Sequence, residues 1–183
     1  MKKVNAKSTK VSLTLAAGGM LLALSAGSWA QQKYKYLFKD PGGLTKYAQQ
    51  HVIDVGDVPG HQIRIATLVT QYAGEAPDYD GVKVVEGKAW LNSDYIDASG
   101  RFKTYSVLQM ANGDKVFTRA EGLSQSSVGA DGGRKTSFNT VTTLAGGTGK
   151  FATLRGTIRA SGVTDFKTGT SGNVSEGDYW FEK

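Results

Sequence analysis

Four glycines fall within the stretch from Leu144 to Gly156, spaced among Thr148, Lys150, Phe151 and Arg155. The Gly-Thr-Gly-Lys string invites comparison with a phosphate loop, and the spacing refuses it. Such a loop needs a glycine five residues before the Gly-Lys pair and a hydroxyl residue directly after it. Those places hold Leu144 and Phe151. What remains is a segment built for sharp turning between two extended stretches. The chain has 24 glycines in 183 residues, about twice the usual ~7% share, and no collagen period. Glycine at that level fits tight turns, strand bulges and barrel corners.

The first thirty residues are set apart from the fold. Lys2, Lys3, Lys7 and Lys10 precede an apolar run from Val11 to Leu24, and Ser28-Trp29-Ala30 supplies a small-x-small cleavage site. This reads as a secretory signal peptide cut after Ala30, since the apolar run is too short to cross ~30 Å of hydrocarbon. A secreted or periplasmic protein is expected, with no stable membrane insertion after cleavage. The whole chain carries 22 basic and 16 acidic residues. Without the four leader lysines the balance is 18 to 16, a net charge of +2. No basic cluster stands out, so nucleic acid is not an expected partner. There is no cysteine, which excludes disulfides and a lipid-modified leader and leaves stability to packing and sheet closure.

Residues 31–49 read as an N-terminal arm, aromatic and basic up to Pro41-Gly42-Gly43, with one or two helical turns expected over Leu44–Gln50. Residues 50–183 read as one β domain. His51–Val58 and His61–Tyr72 flank Pro59-Gly60 as a hairpin, and Asn112-Gly113-Asp114 is a strong turn between Arg101–Met110 and Lys115–Leu123. Further strand material lies in Val82–Ile96, Lys135–Leu144, Arg155–Val163 and Gly177–Phe181. About eight strands joined by short turns predict an all-β, closed, antiparallel, eight-stranded up-and-down barrel of calycin-like form, with a sandwich as the alternative. The strands lack the continuous apolar outer band of an outer-membrane barrel.

Chemistry has few places to reside. His51 and His61 are the only histidines, and with Asp54 or Asp57 they do not supply four converging ligands. No metal and no cofactor are expected, and no serine is placed to complete a hydrolytic triad. An eight-stranded barrel is just wide enough to hold one small ligand, so charges in mid-strand draw the eye. Arg119 and Glu121 share a strand face with Phe117. Tyr105 shares one with Lys103, and Arg155 with Arg159. Asp94 lies two residues from Asn92 and four from Trp90. Solvated exteriors with weak cross-strand ion pairs are the competing explanation for all of these.

The glycine run carries a resemblance. In dirigent and allene oxide cyclase barrels a strand ends in Gly-Gly-Thr/Ser-Gly, a Phe plugs the barrel, and an x-Arg-Gly element opens the next strand. Gly146 to Gly149, Phe151 and Arg155-Gly156 resemble that signature, most specifically over Thr143–Ala160. The Asn112-Gly113 turn and Gly122 extend it across roughly residues 50–183. The resemblance implies a pocket lined by Arg155, chemistry without metal or organic cofactor, and a trimeric homo-oligomer. Lys150 departs from it, because some dirigents carry an acidic residue there.

Three functions follow. The first is a cofactor-independent cyclase, isomerase or dirigent-type protein acting on a small hydrophobic or aromatic molecule. Arg155 and Glu121 would be its catalytic pair, with Tyr105, Arg119, Trp90, Asp94 and Phe117 binding the ligand. The second is a lipocalin- or avidin-like carrier, favoured if Arg119, Glu121 and Arg155 point outward. The third is an exported interaction or inhibitor module working through its loops.

Overall fold

The computed structural model describes residues 31–42, 45–165, 167–168 and 170–183. The expected signal peptide lies outside them. Among these residues the chain forms ten strands: β1 (Tyr34–Asp40), β2 (Thr45–Asp54), β3 (His61–Gln71), β4 (Asp78–Tyr79), β5 (Val82–Ile96), β6 (Ser99–Met110), β7 (Lys115–Val128), β8 (Arg134–Gly147), β9 (Leu154–Asp165) and β10 (Thr170–Phe181). One 3-10 turn, Gly149–Phe151, interrupts them. All pairings are antiparallel, in the order β1-β10-β9-β8-β7-β6-β5-β3-β2, with β4 hairpinned onto β5.

Four expectations need correction. The sheet has ten strands rather than eight, and it is not closed. The stretch read as an arm supplies β1, whose strict alternation puts Tyr34, Tyr36 and Phe38 on one face and Lys35, Leu37 and Lys39 on the other. The helical turns expected over Leu44–Gln50 are instead the start of β2, because the ladder to β3 satisfies its backbone from Thr45 onward. Closure would need a β1–β2 ladder. The inward face of β1 packs elsewhere: Tyr36 stacks on Tyr79 at 5.3 Å between ring centroids, and Phe38 meets Tyr72 edge-on at 6.1 Å. The sheet therefore rolls until β1 abuts the segment after β3, and β2 is left as a free edge.

The core fills one end of the roll. Tyr36, Tyr79, Val84, Met110, Val116, Leu144, Phe151, Leu154, Ile158 and Tyr179 form one cluster. The glycine run explains how that end is capped. A Cβ on Gly147 would lie 1.9 Å from the Lys115 carbonyl oxygen, and Gly149 sits at φ +50° against the Asp114 carboxylate. Thr148 Oγ1 accepts the Lys115 N–H at 2.9 Å. This tight path drops Phe151 into the core at 0% exposure. Lys150 then reaches the Asp80 carboxylate at 2.9 Å, while the Asp80 N–H donates to the Tyr179 hydroxyl at 2.9 Å.

Candidate functional site

Alternation along each strand sorts the side chains onto two faces, and the core cluster marks the inner one. On β7 the inner face takes Val116, Thr118, Ala120 and Gly122, so Phe117, Arg119, Glu121 and Leu123 project outward. Carried across the register, this places all seven residues singled out from the sequence on the outer face.

Three of them form one cross-strand row, Trp90 opposite Tyr105 opposite Arg119. The Trp90 and Tyr105 rings lie 6.0 Å apart, and Lys88 Nζ sits 5.3 Å from the Trp90 ring centroid. Glu121 stands in the next row and pairs with Lys103 at 3.0 Å, both side chains 73% exposed. Asp94 is taken up by His61, whose Nε2 lies 2.8 Å from its carboxylate. Phe117 is half-buried opposite Val107. Arg155 stands apart from the rest: its Nη2 pairs with Glu182 at 2.9 Å and its Nη1 donates to the Leu154 carbonyl at 2.9 Å.

A hollow of about 670 Å³ opens on this outer face. Rolled, twisted sheets are saddle-shaped, so their outer surface is concave along the strands. One wall is the row Lys103, Glu121, Val141, Arg159 and Glu176, each directly opposite the next. The other wall is the parallel row Arg101, Leu123, Asn139, Ser161 and Val174. Between them Phe102, Gly122, Thr140 and Ala160 point inward, so the floor is their backbone. The walls stand about 7 Å apart, two residues along a strand. Leu123, Val141 and Val174 remain 56%, 48% and 41% exposed. Glu121 has Lys103, whereas Arg101 and Arg159 have no side-chain partner among the described residues.

The inner face beyond the core is polar. Arg64 donates through Nε and Nη2 to Gln62 Oε1 at 3.2 and 2.6 Å, and Gln62 Nε2 donates to Asp54 at 2.9 Å. Opposite Arg64 stands Ser93, fully buried on the face it shares with Tyr95. Burial raises the Tyr95 hydroxyl, with Tyr47 adding to the shift and Ser124 and Arg64 opposing it. Sequence reading missed Arg64 as an inner residue. The signal was its register with Ala66 and Leu68, two apolar neighbours on the same face of β3.

No family model matches the chain, and no curated protein matches it. Among solved structures it is similar to the pterocarpan synthase dirigent protein GePTS1, at 15% identity and a TM-score of 0.43, over 83% of this chain and 85% of that one. It is similar to the pterocarpan synthase dirigent protein PsPTS1 at 15% identity and a TM-score of 0.44, over 83% and 96%. The chain resembles dirigent proteins.

Proposed function

We propose that this is an exported, non-catalytic binding protein that holds a small apolar or aromatic acid in the outer groove. The observation that carries this reading is the pairing of exposed Leu123, Val141 and Val174 with two unpartnered guanidinium groups, Arg101 and Arg159, around one hollow. Its volume lies in the range of small-ligand sites, ~300–1,000 Å³. Covering one such aliphatic side chain contributes roughly 1–2 kcal/mol. A planar fork of N–H donors suits a carboxylate or phenolate. Glu121 is already neutralised by Lys103, and Arg119, Glu121 and Arg155 all face outward. That arrangement favours holding a ligand over acid-base catalysis.

The test is a fluorescence titration of the purified protein with 2-naphthoate, alongside the uncharged 2-naphthylmethanol. Saturable naphthoate binding that weakens at least tenfold in Arg101→Ala/Arg159→Ala, and with alcohol binding much weaker, is the expected result. Equal binding of acid and alcohol would remove the guanidinium groups from the reading. Binding untouched by Leu123→Asp would remove the groove itself. Export is tested separately by the mass of the protein recovered from its host, which should begin at Gln31.

A further inference from the structure

We infer that Asp94 and His61 set the availability of Arg101 to an anion in the outer groove: charged His61 holds the Asp94 carboxylate away from Arg101, and neutral His61 releases it to pair there. This rests on the groove reading above and adds two positioning residues to it. Asp94 and Arg101 stand directly opposite each other in the β5–β6 ladder, on the outer face. Opposed residues of an antiparallel pair have Cβ atoms about 4.5–5.5 Å apart, and opposite charges so placed attract. Arg101 nonetheless has no side-chain partner among the described residues. Asp94 is turned the other way, its Oδ1 2.8 Å from His61 Nε2.

Imidazole chemistry makes that arrangement conditional. Charged, the ring donates from both nitrogens, to Asp57 at Nδ1 and to Asp94 at Nε2. Neutral, it keeps one N–H, and its other nitrogen bears a lone pair. Asp57 lies closer, at 2.5 Å, and its Oδ1 is also fixed by the Val58 N–H at 2.8 Å, so Nδ1 keeps the proton. Nε2 then presents a lone pair to the Asp94 carboxylate and repels it. The Asp94 side chain is 62% exposed and can turn, whereas that of His61 is 16% exposed. The charged groups facing His61 are Asp57 from the turn, Asp94 from β5 and the Asp97 carboxylate beside Gly60. On the β2 side Val55 meets it, without charge. Across from Asp94 the register sets Arg101, with Lys103 two residues along β6 and already engaged by Glu121 at 3.0 Å. Arg101 is thus the cation left to receive a released Asp94. Asp94, then Asp57, raise the His61 pKa above 6.5, so an anion is held best below the raised value and less well above it.

The test follows Arg101 in the ligand-free protein and 2-naphthoate in the groove, from about pH 5.5 to about pH 9, where that carboxylate stays ionised. Carbon-detected NMR should show the Arg101 guanidinium resonances shifting with the same midpoint as the His61 ring, and standing still in Asp94→Asn. Naphthoate should bind roughly threefold to fivefold more weakly at the alkaline end, the size of one exposed ion pair. Asp94→Asn should lose most of that dependence, and His61→Ala should bind weakly throughout. An Arg101 signal that ignores the His61 titration overturns the inference, whatever naphthoate does. So does a pH dependence equally large in Asp94→Asn, which would be the plain loss of the His61 charge. Naphthoate that binds at no pH removes the groove reading instead, and the Arg101 signal still decides whether Asp94 pairs with it.

Discussion

His61 bridges two carboxylates: its Nδ1 lies 2.5 Å from Asp57 and its Nε2 lies 2.8 Å from Asp94. The bridge ties the turn between β2 and β3 to the end of β5. Asp94, then Asp57, raise the His61 pKa above its ordinary value of 6.5, and His61 lowers that of Asp57. The sign of the linkage follows. The His61 contribution is fully present below pH 6.5 and is lost as pH rises through the raised folded value. The Asp57 contribution is present above 3.8 and is lost as pH falls through its lowered value. An NMR titration of the His61 ring should give a midpoint above 6.5. Asp94→Asn should bring that midpoint down, and an unmoved midpoint would mean that the bridge does not persist in solution.

The tyrosines of the core supply a second pH limit. Burial holds the Tyr36 and Tyr79 hydroxyls far above their ordinary value and pushes Tyr72 up to about 12. Above pH 10 the unfolded chain releases protons that the folded chain retains, so stability falls as pH rises from 10 toward 12. Alkaline absorbance titration should show these tyrosines ionising together with loss of folded structure. Smooth ionisation of all eight tyrosines with the fold intact would contradict the packing described above.

Phe102 lies over Gly122, and Phe138 over Gly162. A Cβ on Gly122 would fall 2.5 Å from Phe102 Cζ and 2.7 Å from the Asn139 carbonyl oxygen. On Gly162 it would fall 2.5 Å from Phe138 Cζ and 2.7 Å from the Gly172 carbonyl oxygen. The rings can swing aside, but the carbonyls belong to the sheet. Gly122→Ala and Gly162→Ala are each expected to destabilise by about 1–3 kcal/mol in urea unfolding. Gly87→Ala meets nothing closer than 3.4 Å and serves as the mild comparison.

Phe151 and Lys150 are neighbours with very different roles. Phe151→Ala empties a fully buried site and should lower stability by about 3–5 kcal/mol. Lys150→Ala removes a part-exposed ion pair to Asp80 and should lower it by ~1 kcal/mol or less. Thermal unfolding of both variants checks the contrast. Equal losses would show that the 3-10 turn is fixed by its lysine rather than by its phenylalanine.

Much of the fold was legible in the residues. The Pro59-Gly60 and Asn112-Gly113 turns join the strands expected of them, and the glycine run buries Phe151 as its signature implies. Along β7 the inner face was not legible, because beyond Val116 its residues are small. On β7 it offers Thr118, Ala120, Gly122 and Ser124, while the outer face carries Phe117 and Leu123 beside its charges. Hydrophobic bulk therefore points the wrong way along this strand. The Tyr-Lys-Tyr-Leu-Phe-Lys alternation of β1 was a readable strand signal. Its value depended on a partner more than 130 residues away, Asn173–Tyr179. The groove was beyond reach for a related reason: its walls come from five strands and are adjacent only once the register is set.

Every ladder in this sheet joins strands close together in the sequence, except the one between β1 and β10. A chain that emerges from its N-terminal end makes β1 first and its partner last. Tyr34, whose ring contacts are Tyr179 and Phe181, must wait for them while nearly all of the remaining chain is produced. The Tyr34–Tyr179 stack at 5.2 Å is then among the final contacts to form. Completion of the fold is thus timed by the arrival of the C-terminal strand, and a chain that stops before Tyr179 leaves its earliest strand unsheltered.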